Sequence, residues 1–345
     1  MQKLIIASLR GSAGKTSVIT GLLKNLGKSF GYIKPLGDRL VYKEKHLWDY
    51  DSAMVSGIFG RQDNPEETTI GFQHSKLRYM YDEEGIKSKL KAIAEDAGKD
   101  KDLLVIEGGH DFSYGASVHL DALSIAKCTG AKFILVVSGN EDAIVDDIYF
   151  YKKHIHAEGV NAGGMIVNKV PDIEDFKDSY LSGIQEMGAK ILGIIPFRKD
   201  LTYYTVEFLA DALLAKVIAG EKGINNMVKN VFVGAMSADD AVRSQFFKKE
   251  NRVMITAGDR SDLVLAALET DAIAVILTNN IFPPSNIISL AALKNIPLLL
   301  ATQDTYTIAS QIDDLEPLLT AGETEKIDLL AKLVKTHVNI EEIMK

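Results

Sequence analysis

The sequence predicts an α/β protein, a doubly wound and mostly parallel sheet followed by a second, smaller α/β domain. Six short aliphatic runs in the first two hundred residues lack the alternation of a one-sided sheet, as strands covered on both faces do. Helical patterns separate them, so the order reads as a βαβ series. At 345 residues the chain exceeds what one hydrophobic core usually organises, which makes two domains the default.

In the first domain, residues 1–200, strands are expected at 3–8, 30–34, 102–107, 132–138, 163–168 and 191–195, with helices clearest at 15–26 and 86–96. The series pauses after Pro196. A helical segment at 205–218 is punctuated by Gly220-Glu-Lys-Gly223. The second domain, residues 201–345, then places strands at 231–234, 252–256, 272–278 and 297–301, and helices near 239–249, 261–268 and 285–293. A final helical stretch, 325–337, is counted with this domain.

Composition narrows the class. With 46% hydrophobic and 25% charged residues the chain is a folded protein rather than a disordered one. Lys+Arg 39 against Asp+Glu 47 gives a net charge of −8, and no long basic block stands out, so neither a nucleic-acid nor an anionic-membrane surface is expected. One cysteine, Cys128, forms no intramolecular disulfide or multi-cysteine metal site, which fits a reducing cytoplasm. The N-terminal Met-Gln-Lys-Leu-Ile-Ile-Ala-Ser is too short of apolar residues for a signal peptide, and no apolar run reaches membrane-spanning length. A soluble cytoplasmic protein is the expectation.

The most specific local feature is Ser8-Leu-Arg-Gly-Ser-Ala-Gly-Lys-Thr-Ser17, directly after the first strand and opening the first helix. Gly11 and Gly14 let the backbone turn its N–H groups toward phosphate oxygens, and the helix N-terminus adds a favourable dipole. The segment from Arg10 through Gly11, Ser12, Ala13 and Gly14 to Lys15, Thr16 and Ser17 is the candidate nucleotide cradle. Lys15 would reach the β/γ-phosphates and Thr16 would offer its hydroxyl to Mg²⁺. The common spacing needs glycine at position 9, where this chain has Leu9. The loop is therefore a variant, similar to the Gly-x-x-Gly-Lys-Thr of ParA-like and dethiobiotin-synthetase-like ATPases, with Arg10 in the place of the former's extra lysine.

Acids are needed to hold the metal. Glu107 ends a buried strand in Leu-Leu-Val-Ile-Glu-Gly-Gly109 and so emerges at the same sheet edge as the loop. Of Asp49 and Asp51 the second is favoured as a ligand, although either suits a helix N-cap. Lys34, after the second strand in Tyr32-Ile-Lys-Pro35, is a candidate catalytic residue beside Lys15, placed to bind an anionic substrate.

At these residues the chain resembles a known group. The glycine loop, Gly31-Tyr-Ile-Lys-Pro35, the Asp51 region, Val105-Ile-Glu-Gly-Gly109, Val167-Asn-Lys169 and Leu192-Gly-Ile-Ile-Pro196 follow the order seen in dethiobiotin synthetase and in the related N-terminal domain of long bacterial phosphotransacetylases. The resemblance implies that Asn168 contacts adenine, that Lys15, Thr16, Asp51 and Glu107 surround phosphate and Mg²⁺, and that the chain is a homodimer or larger assembly. Ile255-Thr-Ala-Gly-Asp-Arg-Ser-Asp262, Leu277-Thr-Asn-Asn280 and Asp304-Thr-Tyr-Thr-Ile-Ala309 resemble the DRTGG domain that follows in those enzymes. The family's Thr-Gly-Gly appears here as Thr278-Asn279-Asn280. The length leaves no room for the acyltransferase domain, so the resemblance implies the regulatory part standing alone, with Lys15 retained.

Two functions follow. The first is an ATP- and Mg²⁺-binding regulator or sensor of acetyl-CoA/acetyl-phosphate metabolism, partnered by a small metabolite effector or a separate phosphotransacetylase. The second is an ATP-dependent ligase that activates a carboxylate substrate, as in dethiobiotin synthesis or cobyrinate amidation. A ParA-like positioning role is disfavoured because the second domain has no counterpart there. His110 reads as a hydrogen-bonding loop residue ahead of a proton shuttle or metal contact, Cys128 as a small hydrophobe, and Arg260 as either an effector-phosphate ligand or a salt-bridge partner of Asp259 or Asp262. His154 and His156, two apart, point away from each other on a helix.

Overall fold

The computed structural model describes the chain except residues 44, 155–158, 246 and 271 and the side chains of Lys43 and His154; the His154/His156 argument therefore lies outside the described residues. Two compact units emerge, one of Met1–Arg198 with Leu319–Lys345 and one of Lys199–Leu318.

In the first unit β1 (Gln2–Ala7) runs through the glycine loop into α1 (Lys15–Leu26) and β2 (Phe30–Ile33). A hairpin of β3 (Leu40–Lys43) and β4 (His46–Asp49) precedes α2 (Tyr50–Ile58), α3 (Pro65–Thr68), α4 (His74–Met80) and α5 (Glu83–Gly98). The series continues through β5 (Leu103–Glu107), α6 (Ala122–Thr129), β6 (Lys132–Val137), α7 (Glu141–His154), β7 (Ala162–Val170), α8 (Ile173–Phe176), α9 (Ser182–Glu186) and β8 (Ile191–Pro196). Six parallel strands make one sheet in the order β2-β5-β1-β6-β7-β8. The short aliphatic runs behave as expected of strands covered on both faces, and every residue of β5 is buried. The chain builds outward on one side of β1 and then on the other, so β1 is the switch point, and its carboxyl end carries the glycine loop.

The second unit contains β9 (Tyr204–Thr205), α10 (Val206–Ala212), β10 (Lys216–Ala219), β11 (Met227–Val228), β12 (Asn230–Val233), α11 (Ala238–Arg243) and β13 (Arg252–Ala257). It ends with α12 (Ser261–Glu269), β14 (Ala274–Thr278), α13 (Ser285–Lys294), β15 (Leu298–Leu300) and α14 (Thr305–Asp313). Its five-stranded sheet runs β10-β15-β14-β13-β12, with β10 antiparallel and the others parallel. Alternate strand residues feed two cores. Met254, Val275 and Leu298 pack with Leu263 and Ile287, while Val253, Ile276 and Leu299 pack with Leu209 and Ile308.

Two expectations are corrected. The helix expected at 205–218 stops at Ala212, where Leu213 caps it and Leu214 takes a left-handed φ of 51°. Lys216–Ala219 then becomes β10 because its β-branched Val-Ile pair finds an open edge on β15. The second correction concerns the C-terminus: α15 (Thr324–His337) and α16 (Ile340–Ile343) belong to the first unit. The buried residues Ile327, Leu330 and Val334 of α15 recur at helical spacing, and this stripe covers α1. Asn25 Nδ2 donates to the Ala331 carbonyl at 2.8 Å, and Asn339 N donates to Leu192 O of β8 at 2.7 Å.

The α1–α15 crossing is closest at Gly21. A Cβ there would lie 2.5 Å from Val334 Cγ2 and 2.8 Å from the Leu330 carbonyl oxygen. Alanine in place of an exposed helix-interior glycine stabilises by about 1 kcal/mol. For Gly21→Ala we expect the opposite sign, a loss of about 1–3 kcal/mol from overpacking, measured as a lower urea midpoint. A higher midpoint would mean that α15 does not press on α1.

Candidate functional site

The glycine loop leaves β1 at Ser8 and enters α1 at Gly14, with Ser12 (φ 56°) and Gly14 (φ 89°) both left-handed. No side chain caps α1, and its first turn holds no acid. The first intrahelical bond runs from Val18 N to Gly14 O, so the N–H groups of Lys15, Thr16 and Ser17 have no acceptor within the helix. Such a terminus attracts an anion through its aligned dipoles.

Lys15 is buried and donates from Nζ to Ser8 Oγ at 2.9 Å and to the His110 carbonyl at 3.0 Å. Burial lowers its pKa, with Glu107 opposing that shift. Glu107 sits beside it at the end of β5, fully enclosed. Its Oε1 accepts from Thr16 Oγ1 at 2.7 Å and its Oε2 accepts from Tyr32 OH at 2.8 Å. Burial, reinforced by the charge of Asp51, pushes Glu107 up to about 8. Thr16, Glu107 and Asp51 offer only oxygen donors, the hard ligand set that Mg²⁺ takes.

Lys34 has a different setting from the one expected of an anion binder. Its side chain is 1% exposed, and its Nζ lies 2.6 Å from Asp38 Oδ1, 3.3 Å from Asp49 Oδ2 and 2.6 Å from Asp51 Oδ2. Burial alone would lower its pKa, but the surrounding carboxylates, Asp51 foremost, hold it well above the usual lysine value. The ammonium is thus fully engaged by carboxylates of the protein itself, and Arg39 and Lys15 add positive charge near Asp51. These three carboxylates lie within 4.8 Å of one another, and the ammonium occupies the position between them. Asp49 is the α2 N-cap, accepting from Asp51 N at 3.0 Å and Ser52 N at 3.2 Å.

The other candidates fall around the loop. Arg10 turns to α7, where its Nε donates to Asp147 Oδ1 at 3.0 Å and Oδ2 at 3.1 Å. Asn168, at the end of β7, donates from Nδ2 to Ala13 O at 2.9 Å, and Lys169 donates to Ser12 O at 2.6 Å. Here both side chains brace the loop backbone. Ser17 lies half-buried in the first turn of α1. Tyr32 and Asp38 were not singled out as site residues by sequence reasoning. The alternation of a strand puts Tyr32 on the face of Lys34, and Asp38 follows Lys34 by four residues, signals that become meaningful only once Lys34 is known to be buried.

In the second unit the partly exposed Arg260 bonds Asp262 at 3.2 Å and donates to the Met236 carbonyl at 2.9 Å. Asn279 and Asn280 have φ of 60° and 54°. The left-handed region favours glycine and then asparagine, so asparagine suits both positions. Cys128 Sγ is half-buried and contacts the Lys87 carbonyl at 3.7 Å.

The AAA domain family matches residues 2–205, more than half of the chain. The chain belongs to that family. Residues 208–315 match the DRTGG domain, so the AAA domain, here a dethiobiotin-synthetase-like P-loop domain, is followed by a DRTGG domain. The phosphate acetyltransferase of Pseudomonas aeruginosa is 22% identical over 99% of this chain and 51% of its own length. The ATP-dependent dethiobiotin synthetase BioD of Methanocaldococcus jannaschii is 25% identical over 54% of this chain and 90% of its own. The chain thus spans about half the length of the phosphate acetyltransferases it matches. Among solved structures, the CBS and DRTGG domains of the regulatory region of Clostridium perfringens pyrophosphatase, complexed with diadenosine tetraphosphate, are 28% identical over 33% of this chain and 47% of that one, with a TM-score of 0.29. No helix among the described residues is long and apolar enough to cross a membrane.

Proposed function

We propose that this protein binds ATP and Mg²⁺ in its AAA domain and acts as a cytoplasmic regulator or sensor in acetyl-CoA/acetyl-phosphate metabolism. Its partners would be a metabolite effector or a separate phosphotransacetylase, and its assembly a homodimer or higher homo-oligomer. The observation that carries the reading is the joint placement of Lys15, Thr16 and Glu107 at the carboxyl edge of the sheet beside an uncapped helix N-terminus. Lys15 and the N–H groups of the first turn bind the phosphates, and Thr16, Glu107 and Asp51 hold Mg²⁺. When bound, the metal neutralises phosphate charge.

The ligase reading requires Lys34 to take hold of a carboxylate or carbamate. With Asp38, Asp49 and Asp51 already around it, the ammonium is engaged within the protein instead of open to an anion, and this observation favours the sensor. ATP turnover by wild type and Lys15→Ala, measured with candidate carboxylates, acetyl-CoA and acetyl phosphate added, distinguishes the two. The expected result is slow turnover that no carboxylate stimulates by more than about twofold, a range that sets aside effects under about 0.4 kcal/mol. Strong stimulation by a single carboxylate, lost in Lys15→Ala, would establish the ligase instead.

A further inference from the structure

His110 meets the phosphate loop at two points. Its carbonyl oxygen accepts the Lys15 ammonium at 3.0 Å. Its imidazole lies against the Cα of Gly11, so a Cβ on Gly11 would collide with the ring, with Nε2 only 2.6 Å and Nδ1 3.1 Å from the Cβ position. Any side chain at position 11 would displace the His110 ring from the loop.

The ring is held although its side chain is 52% exposed. Nδ1 lies 3.4 Å from Asp111 Oδ2, and Asp111 is itself fixed, its Oδ1 accepting from Ser113 N at 2.9 Å and Tyr114 N at 3.0 Å. The segment is tied to the loop by Phe112 N, which donates to Leu9 O at 3.5 Å. The ring also faces Tyr114, with centroids 6.5 Å apart, and about half of it stays open to solvent beside the phosphate loop.

We propose that His110 makes the loop select a nucleoside triphosphate over a diphosphate, a role that rests on the nucleotide reading above. A lysine in this position of a phosphate loop reaches the β- and γ-phosphates. The ammonium of Lys15 is also the group that touches residue 110, so an anion arriving at Lys15 takes the place of the His110 carbonyl and stands beside the ring on Gly11. Asp111 beside Nδ1 orients the ring, and an Nε2–H serves an oxygen of the terminal phosphate. A diphosphate leaves Nε2 without that oxygen. His110 is therefore a specificity residue whose contribution depends on the third phosphate.

Calorimetric titration of the full chain with ATP and with ADP in Mg²⁺ tests this. Wild type should prefer ATP, and His110→Ala should lose roughly tenfold in ATP affinity while ADP changes less than about twofold, as expected when one charged hydrogen bond is removed. His110→Gln, which keeps a donor, should recover part of the preference. Gly11→Ala, which drives the ring off the loop, should reduce the ATP:ADP ratio in the same sense. A wild type without ATP preference, or an unchanged ratio in His110→Ala, overturns the assignment. Absence of any nucleotide binding by wild type overturns the nucleotide reading itself, and this role with it.

Discussion

Replacing Lys34 with methionine is expected to lower the unfolding free energy by about 3–5 kcal/mol, the penalty for removing one partner from a buried ion pair. The side chain is 1% exposed and its ammonium is the common partner of Asp38, Asp49 and Asp51. Methionine fills most of the volume and removes the cation in direct contact with the three carboxylates, leaving Asp51 only the more distant charges of Arg39 and Lys15. Asp49 already has its pKa raised by burial, so the variant relieves part of the repulsion by taking up a proton, which brings the loss toward the lower end of the range. Urea denaturation with a shared slope for both proteins measures it. A change below about 0.5 kcal/mol, the size typical of surface substitutions, would show that Lys34 is a solvated residue free to greet a substrate.

Glu107→Gln should separate stability from metal binding. Glutamine keeps an acceptor for Thr16 or Tyr32 and removes the buried charge. The pKa of Glu107 is raised in the folded state to about 8, so the folded protein holds this proton more tightly than the unfolded chain. Without nucleotide or metal, wild type therefore loses stability as pH rises from the ordinary glutamate value through about 8. The glutamine variant lacks this dependence and should be the more stable protein at the alkaline end. Its affinity for ATP in Mg²⁺ should nevertheless fall by roughly tenfold or more, because a neutral amide is a poor substitute for a carboxylate on a hard cation. Melting curves across the pH range, with and without Mg²⁺ and ATP, check both halves. A variant destabilised at every pH would mean that the carboxylate is a structural anchor.

The sheet was legible because its strands are covered on both faces. The run from Leu103 to Glu107 has no polar residue until its last position, and that position lies at the ligand edge. The loop was legible because glycine, lysine and threonine have few other reasons to follow a strand directly. What escaped the sequence depends on partners far away along the chain. Lys216–Ala219 carries a pattern that suits a helix or a strand, and the open edge of β15 decided between them. The stripe on α15 predicts that a surface is covered, yet does not say which one, and the glycine face of α1 proved to be the match. The expectation that Lys34 binds an anionic substrate does not see its acids, because two of them belong to the hairpin-to-helix corner at Asp49 and Asp51, a corner formed by strands too short to announce themselves. The Asp147 that draws Arg10 away from the loop lies 137 residues along the chain.

The central claim is that the AAA domain holds Mg²⁺ and ATP through Lys15 and Thr16. Equilibrium titration of the intact chain with ATP in Mg²⁺, comparing wild type with Lys15→Ala and Thr16→Val at matched folded fractions, tests it most directly. The account predicts saturable binding by wild type, a loss of roughly ten- to a hundredfold in Lys15→Ala, as for a removed charged hydrogen bond, and a loss confined to Mg²⁺-containing buffer in Thr16→Val. Binding by Lys15→Ala as tight as by wild type, or no binding by either, would contradict it.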